Sequence, residues 1–148
     1  MKFVSDQKVF MLACGQSVDR PNKEQTELYL RLMLEEVGET LVAANPSRAA
    51  EIRTAINLLA DLATLSSQTN RVELFDGLLD VIVTATGAGI SAALPLAEGW
   101  KEVFRSNMAK VDPETGAVRR RDDGKVLKPE GWTPPNLAAI LEQAYEHA

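Results

Sequence analysis

The stretch that decides the fold is residues 28–44, LYLRLMLEEVGETLVAA, in which glutamates interrupt a strongly apolar segment. The segment lacks the alternation of a strand and is rich in Ala, Leu and Glu, so it predicts a helix. On a wheel of about 100° per residue, Glu39 lies about 40° and Glu36 about 100° from Glu35. Apolar side chains cover most of the remaining surface. The strip left for solvent contains Glu27, Arg31 and Gly38. We therefore expect this helix to be central to its domain.

A second acidic group lies in residues 71–91, RVELFDGLLDVIVTATGAGIS. Asp76 and Asp80 are one helical turn apart, and Glu73 lies one turn earlier on the same face. Negative charge inside apolar stretches requires a positive partner, and few basic residues are close in sequence. The two clusters therefore predict metal-binding walls on two helices. The alternative is that the acids are solvated, or that they meet a helix dipole at an N-terminus, which suits Glu73 best.

Oxygen-only ligands favour Mg²⁺, Mn²⁺ or Ca²⁺ over zinc. The single histidine, His147, lies at the end of the chain. The Glu-x-x-His pattern of di-iron carboxylate bundles is therefore missing, which excludes that class.

Composition sets further bounds. The 148 residues, 45% hydrophobic and 5% aromatic, predict one all-α domain over residues 1–148. A net charge of −5 argues against a nucleic-acid partner. The lone Cys14 fits a core position in a cytoplasmic protein, and no signal peptide is recognisable. The apolar run 78–96 is interrupted by polar residues and glycines, so it predicts a buried helix and not a membrane span.

Helix signals divide the chain into six predicted helices. The first, about 2–14, ends at Gly15, and the second, about 22–45, is followed by a third with Ser47 as N-cap. A turn at 66–70 precedes the fourth helix, which ends near residue 94. The fifth spans about 95–110, and the closing helix spans 136–146. Residues 112–135 are rich in Gly, Pro and charge and predict a loop with a small hairpin.

Basic residues gather after the fifth helix, in 105–110 (RSNMAK), 119–121 (RRR) and 124–128 (GKVLK). Asn107 falls on the apolar face of its helix, so its amide needs partners, and a ligand's hydroxyl or phosphate is one candidate. Lys110, one turn on, can reach the same ligand. The alternative is an asparagine that caps the helix beside a solvated basic loop.

Four motifs in order resemble the all-α nucleoside triphosphate pyrophosphohydrolases: MazG proteins, dimeric dUTPases and phosphoribosyl-ATP pyrophosphohydrolases. The motifs are EEVGE (35–39), DGLLDVIV (76–83), VFRSNMAK (103–110) and DGKVLKP through WTPPNL (123–137), and the resemblance covers about residues 10–141. It implies a helical bundle of about five to six helices with a four-helix core, and a site completed on dimerisation. The implied reaction is cleavage between the α- and β-phosphates with Mg²⁺, for which Mn²⁺ can substitute. The implied partners are a nucleoside triphosphate and a second copy in a homodimer or higher oligomer. Charge and composition predict no nucleic acid and no membrane as partners.

The resemblance also implies site residues. The implied metal ligands are Glu35, Glu36, Glu39 and Asp80. The charge distribution further predicts that Glu35 or Glu36 is the general base. The second motif departs from the usual Glu-x-x-Asp because Gly77 stands three before Asp80. Asp76 is expected to substitute; the other register pairs Glu73 with Asp76. By charge and position, substrate contacts are expected from Arg105, Asn107, Lys110 and Lys125. Gln16 and Asn22, in the loop before the metal-binding helix, are candidates for base recognition from their donor and acceptor chemistry. The expected substrate is dUTP or a related pyrimidine or non-standard nucleotide. The alternatives are phosphoribosyl-ATP, or a helical module that binds nucleotide or metal without turnover.

Overall fold

The computed structural model describes residues 2–121 and 126–146, and in this part of the chain all regular elements are helices. The α-helices are α1 (Lys2–Ala13), α2 (Lys23–Ala44), α3 (Ala49–Leu62), α4 (Arg71–Ser91), α5 (Leu96–Met108) and α6 (Leu137–Glu146), with a 3₁₀ turn at Pro46–Arg48. The predicted all-α class and six-helix count are confirmed. The predicted hairpin is reduced to two isolated antiparallel bridges, Val111 with Val118 and Arg120 with Val126.

Helix ends follow local capping chemistry. Gly15 has φ +71° and closes α1 as predicted, with its N–H donating to the carbonyl of Leu12 at 2.9 Å. Asn22 caps α2: its side-chain oxygen accepts from the Gln25 N–H at 3.0 Å. Ser47 was expected to cap the third helix, which is wrong. Pro46 starts a 3₁₀ turn there, and the Ser47 hydroxyl donates to the Asn45 side chain at 2.7 Å.

The chain divides into two compact units, Arg20–Arg71 and Met1–Asp19 with Val72–Ala148. The single domain over 1–148 stays a prediction.

In the unit Arg20–Arg71, α2 packs on α3 along the strip that the sequence assigned to solvent. Gly38 is buried, and a Cβ at this position would lie 2.9 Å from Cγ1 of Ile56. Glu27 is also covered, with its carboxylate accepting from the Leu65 N–H at 2.8 Å. The expected solvated strip is therefore wrong: the missing side chain of Gly38 lets α3 approach. The apolar Leu28, Leu32, Val37 and Leu41 are exposed instead.

In the other unit, α5 contacts both α1 and α6. Phe3 packs edge-to-face on Trp100, and the Trp100 indole N–H donates to the Asp6 carboxylate at 2.9 Å. Gly89, near the end of α4, is buried against the Leu96 side chain at the start of α5. A Cβ at Gly89 would lie 2.6 Å from that side chain, so this contact requires glycine. These contacts hold α5, which presents Asn107 at its C-terminal end.

The fourth helix does not have the burial that its sequence predicts. Phe75 is 65% and Val83 66% exposed, and Gly89 is its buried residue. By length and composition alone, α4 could cross a membrane; 6% of its most apolar window is buried. The expectation of a buried, closely packed α4 is therefore wrong for this chain by itself. Cys14, expected in the core, is half-buried.

Candidate functional site

The first acidic cluster projects from the middle of α2. Glu35, Glu36 and Glu39 are exposed, and none of them forms an ion pair with a residue in the described ranges. The pKa of Glu36 is raised, first by desolvation and then by the negative charges of Glu39 and Glu35. Like charges one turn apart are destabilising unless a cation lies between them. The cluster is therefore suited to bind a cation.

The second acidic cluster lies in the first half of α4. Glu73 falls in the first turn of the helix, where the dipole favours an acid. Asp76 and Asp80 lie beyond that turn, are exposed, and have no ion-pair partner among residues 2–121 and 126–146. The helix dipole therefore accounts for Glu73 and not for the two aspartates.

The donor chemistry of both clusters fits a hard divalent cation. All six side chains of the two clusters are carboxylates, the ligand type of Mg²⁺ and Mn²⁺. Within the described part of the chain, no three His, Cys, Asp or Glu side chains form a ready-made metal cage. Mg²⁺ is usually held by one or two protein carboxylates together with waters and substrate phosphates, so such a cage is not required.

The predicted pair Asn107 and Lys110 is brought together at the end of α5. The Lys110 ammonium donates to the Asn107 side-chain oxygen at 2.9 Å, and both residues are half-buried. Lys110 Nζ also lies 6.0 Å from the ring centroid of Phe10. The sequence placed Asn107 on the covered face of its helix, and the structure agrees.

Arg105, another predicted substrate residue, is engaged within the protein. Its guanidinium donates to both carboxylate oxygens of Glu102, at 2.8 and 2.7 Å. The same carboxylate accepts from the Asn136 N–H at 2.9 Å. The Arg105 hydrogen bond, followed by that from the Asn136 backbone, lowers the pKa of Glu102 to about 2. Arg105 therefore helps attach the segment before α6 to α5.

Lys128 and Trp132 belong to the fourth sequence motif, and no role could be assigned to either of them from the sequence. Lys128 Nζ lies 4.2 Å, and Lys110 Nζ 5.5 Å, from the Trp132 ring centroid. The signal was present in the spacing of KPEGW, which puts a lysine four residues before a tryptophan. Nothing in the sequence indicated that this segment returns to Lys110.

The remaining predicted substrate residues lie elsewhere. Gln16 is half-buried directly after Gly15, and its N–H donates to the Met11 carbonyl at 2.9 Å. The side-chain oxygen of Asn22 is used as a helix cap. Lys125 lies outside the described residues.

The class defined by the fold is therefore an all-α protein that carries carboxylate clusters on two helices and a lysine–tryptophan cluster at the end of a third. A solved structure with this fold is a putative NTP pyrophosphohydrolase from Exiguobacterium sp. 255-15. It shares 25% sequence identity and a TM-score of 0.74 with this chain, over 100% of this chain and 99% of that one. The resemblance that the motifs indicated is thus confirmed at the level of the NTP pyrophosphohydrolase superfamily. No protein-family model and no curated protein matches the chain.

Proposed function

We propose that this protein is a Mg²⁺-dependent nucleoside triphosphate pyrophosphohydrolase that releases a monophosphate and pyrophosphate. The observation that carries the proposal is the whole-length similarity to a structure described as an NTP pyrophosphohydrolase. The substrate we favour is dUTP or a related pyrimidine or non-standard deoxynucleotide, on the resemblance to dimeric dUTPases. The carboxylate clusters and the cationic end of α5 support this reaction class, because it needs both metal ligands and anion contacts.

The side chains that would hold Mg²⁺ are Glu35, Glu36, Glu39, Asp76 and Asp80. Their exposure and their lack of ion-pair partners in the described ranges support this role. When bound, the metal would neutralise triphosphate charge and help orient the attacking water. The second register, Glu73 with Asp76, receives less support because Glu73 lies in the first turn of α4.

The chemical step requires a base and contacts to the leaving group. A carboxylate of Glu35 or Glu36 accepts the proton of the attacking water as the water oxygen bonds to phosphorus. The bond between the α-phosphorus and the oxygen that bridges it to the β-phosphate breaks, and pyrophosphate departs with that oxygen. The Lys110 ammonium and the Asn107 amide would contact the negative charge that develops there.

A second copy of the chain is part of this proposal. The exposed apolar side chains of α4 support it, as does an apolar groove of about 860 Å³ lined in part by Ile82, Leu96 and Leu141. Light scattering should give at least the dimer mass, and Val83→Asp on the exposed face of α4 should lower it. A monomeric wild-type protein would contradict the dimer.

The reaction is tested by ³¹P NMR on a panel of canonical and deoxynucleoside triphosphates, with Mg²⁺ or with EDTA. We expect metal-dependent formation of monophosphate and pyrophosphate, fastest with dUTP. Glu36→Gln should abolish turnover, whereas Glu24→Gln, in the first turn of the same helix, should retain it. Release of orthophosphate, or no turnover on the whole panel, would refute the proposed reaction. The remaining hypotheses would then be phosphoribosyl-ATP as the substrate, or a non-catalytic binding module.

A further inference from the structure

The ammonium groups of Lys110 and Lys128 both lie near the ring of Trp132, at the C-terminal end of α5. Lys128 Nζ lies 4.2 Å and Lys110 Nζ 5.5 Å from the centroid of Trp132, both within the range of cation–π attraction. Lys110 is also 6.0 Å from the Phe10 centroid. Trp132 therefore lies within cation–π distance of two ammonium groups, that of the half-buried Lys110 and that of the exposed Lys128.

These charges have no carboxylate partner in residues 2–121 and 126–146. The polar contact of Lys110 is with the neutral Asn107 oxygen at 2.9 Å, and Lys128 has no ion pair there. The pKa of Lys110 is lowered, mainly by burial and next by the charge of Lys128. An anion bound between the lysines would relieve this repulsion.

Asn107 adds a neutral donor to the same region. Because its side-chain oxygen accepts from Lys110, its NH₂ group points away from that ammonium. In the described ranges this NH₂ group has no acceptor, and it can donate to an oxygen of a bound anion.

The indole ring is fixed in place by Ser106. The Trp132 N–H donates to the Ser106 backbone carbonyl at 2.9 Å, and the Ser106 hydroxyl donates to the Thr133 carbonyl at 3.0 Å. Ser106 is 1% exposed, so the serine end of both bonds is shielded from water. The Trp132 ring beside the two lysines is therefore held in place by Ser106.

We propose that Lys110, Lys128 and Asn107, arranged on Trp132, form a binding site for the polyphosphate chain of the nucleotide. The proposal rests on the proposed function and assigns Lys128 to binding and Trp132 to positioning the two lysines. Two separate ammonium groups suit a phosphate chain, since each contacts oxygens as a point charge. The chain's net charge of −5 disfavours a nucleic acid as the source of those phosphates.

The test is a titration of the full-length protein with inorganic pyrophosphate in EDTA, which removes metal from the measurement. Isothermal titration calorimetry gives the Kd, and Trp132 fluorescence in a Trp100→Phe background reports the location of binding. We expect saturable binding with a change in Trp132 emission. Lys128→Gln and Lys110→Gln should each raise the Kd by roughly tenfold, the effect of losing a charge-assisted hydrogen bond. Lys101→Gln, which removes an exposed charge on α5, should leave the Kd unchanged.

The outcomes separate this site from the proposed reaction. No saturable pyrophosphate binding, or equal Kd values for wild type, Lys128→Gln and Lys110→Gln, would overturn the site even if triphosphates are hydrolysed. Pyrophosphate binding that needs both lysines, in a protein that hydrolyses no triphosphate, would support the site and refute the proposed reaction. Glu36→Gln, which leaves the lysine cluster intact, should bind pyrophosphate as wild type does.

Discussion

The indole N–H of Trp132 donates a 2.9 Å hydrogen bond to the backbone carbonyl of Ser106, 26 residues earlier in the chain. The hydroxyl of the same serine donates to the carbonyl of Thr133 at 3.0 Å. One buried residue at the end of α5 thus fixes two consecutive residues of the segment that leads to α6. Because the ring is held there, Lys128 and Lys110 both lie beside it.

Ser106→Ala removes a buried hydroxyl and leaves the Thr133 carbonyl without its part-buried hydrogen bond from that donor. We expect a loss of about 1–2 kcal/mol in the free energy of unfolding, measured by urea denaturation. Ser5→Ala is the matched control, since that hydroxyl donates to the Lys2 carbonyl on an exposed turn. Equal stability changes for the two variants would contradict the role of Ser106.

Glu36→Gln should stabilise the metal-free protein while it removes turnover. A carboxyl whose pKa is raised on folding favours the folded state most when protonated, and this contribution is lost as the pH rises through the folded pKa. At pH 7 the charged form therefore costs stability, by under about 1 kcal/mol because solvent screens an exposed group. Thermal unfolding in EDTA and ³¹P NMR with Mg²⁺ measure the two effects. A lower Tm for Glu36→Gln would contradict the like-charge repulsion.

The Glu102–Arg105 pair predicts an acid-dependent loss of stability. The pKa of Glu102 is about 2 in the folded protein, below its ordinary 4.5, so the contribution is complete above the unfolded pKa. It is lost as the pH falls through the window from 4.5 to about 2. The Tm of Glu102→Gln should therefore lie below that of wild type at pH 7 and converge with it toward pH 2. Glu98→Gln, whose ion pair with Lys101 is 3.9 Å long, should track wild type throughout. A Glu102→Gln difference that persists unchanged at pH 2 would exclude the carboxylate as its source.

Gly38→Ala should destabilise the unit formed by α2 and α3, although Ala favours a helix over Gly by about 1 kcal/mol. The new Cβ would lie 2.9 Å from Cγ1 of Ile56, so the Ile56 side chain or the helices must shift, at a cost of about 1–3 kcal/mol. Ile56→Ala opens that space, and in its background Gly38→Ala should be neutral or stabilising. The double-mutant cycle is measured by urea denaturation. Additive effects would show that Gly38 and Ile56 do not constrain the packing.

The burial of individual faces could not be predicted from the hydrophobic pattern. The helical-wheel pattern assigned Glu27 and Gly38 to solvent because neither has an apolar side chain. The packing of α3 on α2 there depends instead on the missing side chain of Gly38. Conversely, α4 has the composition of a core helix and remains exposed in this chain. Composition indicates how much apolar surface a helix carries, and it does not indicate which other surface covers it.

The candidate site also contains residues that could be predicted from local spacing and residues that could not. Glu35, Glu36 and Glu39, and Asp76 with Asp80, could be placed on helix faces from their spacing alone. Lys110 was also predicted to lie one turn beyond Asn107, and their 2.9 Å hydrogen bond follows from that register. Lys128 and Trp132 could not be assigned, because their partner lies across a loop.

The sequence by itself therefore determined the six helices, several of their ends and the residues that share each face. Those features depend on interactions that reach three or four residues along the chain. The tertiary structure alone decided that α3 covers Gly38, that the Asn136 N–H reaches the Glu102 carboxylate, and that Trp132 returns to Lys110. These contacts join segments far apart in sequence, and their energies depend on shape and on burial that no local pattern encodes.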